Sequence, residues 1–300
     1  MSTAVGIDER AAAAWIGGVV DCDAAGLSFR RIGNGQSNLT FLVEADDGGR
    51  WVLRRPPLGT LLASAHDVAR EHRILSGLQD TSVPVPRVLG LTDDSAVTDA
   101  PLLLMSFVDG IVVDDVAVAE TLTVQRRAQI GASLTDTLAR IHAVDLAETG
   151  LDTLASHAPY AERQLKRWTG QWEKSKTRDH DGVESLATRL RAAIPEQREV
   201  TLVHGDFHLR NLITSAAGDV IGVLDWELST LGDPLADMGS LLAYWTEPGE
   251  PAWGDFAPTT LPGFPTRAEM SQRYLAETGR DAAAQGAGSG TRPDPAAIRR

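Results

Sequence analysis

Three observations in the 300 residues predict an α+β protein. Short β-type runs gather in the first third of the chain, helix-period stretches dominate the rest, and between residues 200 and 237 a polar loop is held between two short apolar runs. Strands collected in one part and helices in another favour an α+β architecture over alternating βαβ units.

Taken in order, residues 11–20 (AAAAWIGGVV) are apolar but follow Asp8 and Glu9 rather than a basic segment, and no cleavage pattern comes after them. They predict a short packing helix, not a signal sequence. Residues 29–32 and 39–45 read as strands around the loop Gly33-Asn34-Gly35-Gln36-Ser37-Asn38. Asp46-Asp47-Gly48-Gly49 is a hairpin turn signal, and residues 51–54 return as the partner strand. Glycines let a loop backbone approach phosphates and offer N–H groups to them. Because this loop joins antiparallel strands and opens no helix, it is not a dinucleotide fingerprint.

A helix over 64–79 carries Ala65, Val68, Leu75 and Leu78 on one stripe, with Glu71 among them. Val83-Pro84-Val85-Pro86 is an extended connector, since a residue before proline is pushed out of the helical region. Residues 101–107 (PLLLMSF) form a buried strand. Ile130, Leu134, Leu138 and Ile141 make 125–144 a core helix, with His142 at its end as a packed or hydrogen-bonded histidine. Ala161, Leu165, Trp168 and Trp172 form a second stripe, expected in the core. Asp233-Pro234 caps a helix, the prolines of 247–265 mark a loop, and Thr266 with Glu269 forms a capping box.

Composition narrows the function. With a net charge of −13, neither a nucleic acid nor an anionic membrane is the expected partner. A single cysteine, Cys22, excludes an internal disulfide framework and is compatible with a reducing cytoplasm. No apolar run approaches a membrane span.

Chemistry concentrates in VTLVHGDFHLRNLITSAAGDVIGVLDWELSTLGDPLAD. Asp206 follows His204-Gly205, Asn211 comes five residues later, and an apolar run delivers Asp225 at its end. Amide and carboxylate oxygens suit a hard cation such as Mg²⁺, which takes one or two protein ligands and substrate phosphates. A second carboxylate could orient an attacking hydroxyl or accept its proton. Those are the parts of a phosphoryl-transfer site.

The motifs HGDFHLRN, VLDWE and LGDPLAD, in that order, resemble the aminoglycoside phosphotransferase family, a kinase-like fold that also holds choline and homoserine kinases. With GNGQSNLTFLV, WVLRRPPLG and RWTGQWE they are most similar to the branch related to the kinase-like domain fused to acyl-CoA dehydrogenases. The resemblance covers roughly residues 29–279. It implies a two-lobed protein-kinase-like fold, with a small antiparallel-sheet N-lobe over 29–105 and a mainly helical C-lobe over 106–279. An N-terminal helical segment (1–28) would precede them.

The resemblance also implies ATP and Mg²⁺ as cofactors and a small-molecule hydroxyl as acceptor. Gly33, Asn34, Gly35, Gln36, Ser37 and Asn38 would cover the phosphates. Arg54 stands where the kinase template has a lysine, with Glu71 as its counter-carboxylate. Met105, Ser106, Phe107 and Val108 would line the base at the hinge between lobes. Asn211 and Asp225 would hold Mg²⁺, Asp206 would aim the acceptor, and His208 would stand near the transferring phosphate. The family name points to aminoglycosides, and the closer branch to a hydroxylated acyl-CoA or another metabolic alcohol. Arginine at the lysine position leaves open a non-catalytic nucleotide-binding module. Residues 280–300 depart from the resemblance and, with Ile298 as their one large apolar residue, predict a disordered tail.

Overall fold

The structure is a computed structural model, and it describes residues 5–33, 38–58, 68–251 and 257–280. Asn34, Gly35, Gln36 and Ser37 of the glycine loop, the start of the 64–79 helix and residues 281–300 lie outside them. In chain order the first elements are α1 (Glu9–Val20), β1 (Leu27–Ile32), β2 (Leu39–Ala45), β3 (Arg50–Arg55), α2 (Val68–Leu78), β4 (Val88–Thr92) and β5 (Leu102–Ser106). Then come α3 (Val116–Glu120), α4 (Val124–His142), α5 (Tyr160–Ser175), α6 (Asp181–Ala192), β6 (Thr201–Val203), β7 (Leu212–Thr214) and β8 (Val220–Val223). The last are β9 (Thr230–Gly232), α7 (Pro234–Tyr244) and α8 (Arg267–Thr278). One compact unit comprises Met1–Val112, Asn211–Ala216 and Val220–Leu228; the other comprises Val113–Arg210, Ala217–Asp219 and Ser229–Arg300.

The first unit is built on an antiparallel sheet of order β1-β2-β3-β5-β4. Strand periodicity sends Leu39, Phe41 and Val43 of β2, Leu53 of β3 and Leu102 and Leu104 of β5 into one cluster. Ala12 and Ile16 of α1 close it. Each large apolar side chain buried this way contributes about 1.5–3 kcal/mol relative to exposure. Asp8 caps α1, accepting from the N–H groups of Arg10 and Ala11. β4 carries no clear strand pattern in the sequence: Gly90 interrupts it at a register shift against β5, and its side chains are mostly half-buried. The β7–β8 hairpin belongs to this unit and is tied to it by hydrogen bonds between Ile111 and Thr214 and from the Val223 N–H to the Pro84 carbonyl.

The second unit is mainly helical. Ile130, Leu134, Leu138 and Ile141 of α4 are buried as their spacing predicts, and α8 packs against α4. β6 and β9 pair antiparallel, and Asp233 caps α7 through the Leu235 N–H. The α5 stripe departs from the expectation: no residue of α5 is buried, and Trp168 is 53% exposed. Its partner α6 buries only Ala187, so the α5 stripe is at most half-covered. Among the described residues no helix is long and apolar enough to cross a membrane.

Candidate active site

In the first unit a cavity of about 460 Å³ lies between the sheet and the β7–β8 hairpin. Ile32, Val52, Pro86, Met105, Val112, Ile213 and Leu224 make most of its wall apolar. Gly33, Asn38, Arg54, Asn211 and Asp225 form a polar part. Met105, Ser106, Phe107 and Val108, the expected hinge, all line it. An apolar slot with a few convergent polar groups is the usual form of a small-molecule site.

Arg54 organises the polar part. Its Nη1 donates to Glu71 Oε1 at 2.7 Å, and its Nη2 donates to Asp225 Oδ1 at 2.8 Å. β3 presents Arg54, α2 presents Glu71, and the turn after β8 presents Asp225. The amide of Asn38 reaches the same group. In one orientation its Nδ2 donates to Glu227 Oε2 at 3.3 Å; turned over, its oxygen accepts from Arg54 Nε and Nη2 at 3.2 Å. Burial alone would lower the Arg54 pKa, but Glu71 and Asp225 outweigh it and hold the guanidinium above its ordinary value. Burial pushes the Glu71 carboxyl up to about 7; Arg54 opposes this, while Asp225 and Glu227 add to it.

Asp225 has φ 65°, a left-handed conformation that non-glycine residues adopt at a cost and that clusters at functional sites. The 3-10 turn Trp226–Leu228 follows, with Trp226 fully buried. Asn211 is joined to this turn by the Leu224 N–H, which donates to its carbonyl at 2.8 Å. The Asn211 amide and the Asp225 carboxylate thus border one cavity. An oxygen pair of this kind fits an ion that completes its shell with phosphate and water. Among the described residues no cluster of three or more His, Cys, Asp or Glu forms a closed cage.

The loop bearing Asp206 belongs to the second unit. Phe207 and Leu209 are buried and anchor it, while Asp206 and His208 between them stay partly exposed. His208 Nε2 lies 3.3 Å from Asp206 Oδ1, and its ring meets Tyr244 edge to face. His204 supports the loop: its Nδ1 accepts from the Asp206 N–H and its carbonyl accepts from the Ser229 hydroxyl. Beneath the loop, Asp237 of α7 accepts the His204 N–H at 2.6 Å and the Gly205 N–H at 2.8 Å. His142 Nε2 reaches Asp237 at 3.2 Å. Gly205 has φ 85°, so a side chain there would strain the turn that aims both N–H groups at one carboxylate.

The structure therefore brings Arg54, Glu71, Asn38, Asn211 and Asp225 together, with the four hinge residues on the same cavity. Asp206 and His208 are paired with each other. Two participants escaped the sequence reading. Glu227 follows Asp225 in VLDWE and reads as an exposed charge. Asp237 has a recognisable signal: it falls on the apolar face of α7 beside Met238 and Leu241, where an unpaired carboxylate would be costly. The chain has three lysines, at 166, 174 and 176, none of them lines this cavity, and among the described lining residues Arg54 is the cation.

A profile described as phosphotransferase enzyme family matches residues 28–269. The chain belongs to that family. Its fold is kinase-like. Acyl-CoA dehydrogenase family member 10 of Mus musculus is 41% identical over 250 residues, covering 82% of this chain and 23% of that protein. The chain spans about a quarter of the length of the curated relatives it matches. A Ralstonia eutropha structure assigned by name to the aminoglycoside phosphotransferases is 32% identical with a TM-score of 0.75, covering 91% of this chain and 81% of that one. The streptomycin–ATP–APH(2″)-IIa ternary complex shares the fold at a TM-score of 0.58 and 19% identity, covering 90% and 82%.

Proposed function

We propose that this phosphotransferase moves the γ-phosphoryl group of Mg²⁺–ATP to the hydroxyl of an anionic metabolic alcohol, a hydroxyacyl-CoA being the favoured class. The observation that carries the nucleotide half is the Arg54 bridge between Glu71 and Asp225 at the polar part of an otherwise apolar cavity. The apolar wall would take the adenine against Met105, Ser106, Phe107 and Val108. Arg54 would hold phosphate oxygens through its planar fork, kept on aim by Glu71. Asn211 and Asp225 would hold Mg²⁺, which when bound offsets phosphate charge. Asp206 would orient the acceptor hydroxyl and take its proton, with His208 beside it.

Two observations favour the acceptor class. The 41% identical relative carries the acyl-CoA dehydrogenase name. In addition, residues 160–192, which span α5 and α6, hold eight Lys and Arg against five Asp and Glu in a chain of net charge −13. Arg163 ties the base of α5 to the Leu231 carbonyl of β9. A basic, outward hairpin in an acidic protein attracts an anionic acceptor and repels a polycationic aminoglycoside.

The test is ADP release from Mg²⁺–ATP with hydroxyacyl-CoAs of several chain lengths and hydroxyl positions, beside streptomycin, using Asp206→Asn as the control. Turnover of a hydroxyacyl-CoA that Asp206→Asn abolishes is the expected result. Turnover of streptomycin with none of the CoA thioesters would overturn the acceptor class.

A further inference from the structure

A buried polar chain runs from the end of α8 to the loop that bears Asp206, entirely within the second unit. Arg280, where the low-complexity stretch opens, is held by Glu199 through Nε to Oε1 at 2.6 Å and Nη2 to Oε2 at 3.0 Å. Its Nη2 also donates to the His142 carbonyl, and its Nη1 donates to the Tyr274 hydroxyl at 3.3 Å. The Tyr274 hydroxyl lies 2.6 Å from His142 Nδ1, and His142 Nε2 lies 3.2 Å from Asp237 Oδ2. His142, Asp237 and Tyr274 are all buried, and burial holds the Tyr274 pKa well above its ordinary value.

The direction of this chain follows from donor and acceptor chemistry. Arginine only donates, and an ionised carboxylate only accepts. Asp237 therefore requires a proton on His142 Nε2, which in the neutral imidazole leaves Nδ1 as an acceptor. The Tyr274 hydroxyl then accepts from Arg280 and donates its one proton to Nδ1. Every group has one consistent role, and the hydroxyl in the middle joins Arg280 to His142.

We propose that Tyr274 is a positioning residue for phosphoryl transfer, acting through His142 and Asp237 to hold the His204–Gly205 backbone and hence Asp206. Without its hydroxyl, the buried Nδ1 lone pair loses its donor and the His142 ring is held at Nε2 alone. A looser imidazole weakens one of the three donors on Asp237, and with it the fixed acceptor of the two loop N–H groups.

Tyr274→Phe keeps the ring and removes the chain's central link. Three readouts on the full chain test it: ¹⁵N NMR of the His142 ring, amide hydrogen exchange at His204 and Gly205, and hydrolysis of Mg²⁺–ATP by water. The expected results are a single Nε2–H tautomer in the native protein and, in the variant, faster exchange at both amides. kcat should fall about 10–100-fold, as for a small misplacement of a catalytic group, with the KM for Mg²⁺–ATP unchanged. Met270→Ala, a buried position on the same helix outside the chain, should lower the melting temperature while sparing tautomer and kcat. An Nδ1–H tautomer in the native protein, unchanged amide exchange in Tyr274→Phe, or an equal kcat loss in Met270→Ala would each overturn the proposal. The hydrolysis arm rests on the nucleotide reading above. Should the native protein fail to hydrolyse ATP, that reading is weakened, while tautomer and exchange still decide whether Tyr274 holds the loop.

Discussion

Two carboxylate networks in this molecule are built on opposite principles. Around Arg54, three carboxylates (Glu71, Asp225 and Glu227) gather about one guanidinium, and the surplus negative charge helps raise Glu71 to about 7. Around Asp237, one carboxylate meets three donors: two backbone N–H groups and an imidazole. The first has more acceptors than cationic charge and opens on a cavity; the second is matched and sealed. A site that must receive a cation and phosphates is suited by the first arrangement, and a rigid platform for a catalytic loop by the second.

The comparison breaks most visibly if the sealed network proves dispensable. Asp237→Ala strands two loop N–H groups and His142, and should cost about 3–5 kcal/mol of stability, read by urea unfolding. A loss under 1 kcal/mol would mean that the loop is held elsewhere. In the open network the next largest effect should concern ligand response. Native protein with Mg²⁺–ATP at ~100 times its dissociation constant should gain about 2.7 kcal/mol. Asp225→Asn, which tolerates the left-handed backbone, should lose most of that gain while its ligand-free melting temperature changes little.

A pH titration sharpens the contrast further. The folded-state pKa of Glu71 lies near 7, above its ordinary value of 4.5, so the folded protein binds the extra proton between those values. Its contribution to stability is complete at the acid end of that window and is lost as pH rises through about 7. Glu71→Gln should flatten this decline in melting temperature between pH 4.5 and 7.5, and an unchanged slope would remove Glu71 from the account. The smallest effect is expected at the start of α8, where neither network has a member. Thr266→Ala deletes the capping box of α8 and should cost about 1 kcal/mol, with no change in nucleotide response.

The fold was legible wherever periodicity was strong. β1, β2, β3, β5, α4 and the caps at Asp233 and Thr266 stand in the sequence because apolar spacing and cap chemistry are local signals. β4 was not, since a glycine and a register shift erase its alternation. The α5 stripe misled because spacing reports an apolar face without saying whether anything covers it. The Arg54–Glu71 contact could be anticipated because the family resemblance expects a phosphate-binding cation at the end of β3, and Glu71 on the next helix is its candidate counter-carboxylate. The Arg280–Tyr274–His142–Asp237 chain could not, because its members come from four separate stretches and only tertiary packing makes them neighbours.

The confinement of every lysine to positions 166, 174 and 176 has a practical consequence for profiling. Acyl-phosphate nucleotide probes mark ATP sites by acylating a side-chain amine near the phosphates, and the cavity beside Arg54 has none to offer. Such probes would pass over this pocket even when nucleotide fills it, whereas a dicarbonyl reagent selective for guanidinium groups would report its occupancy through protection of Arg54.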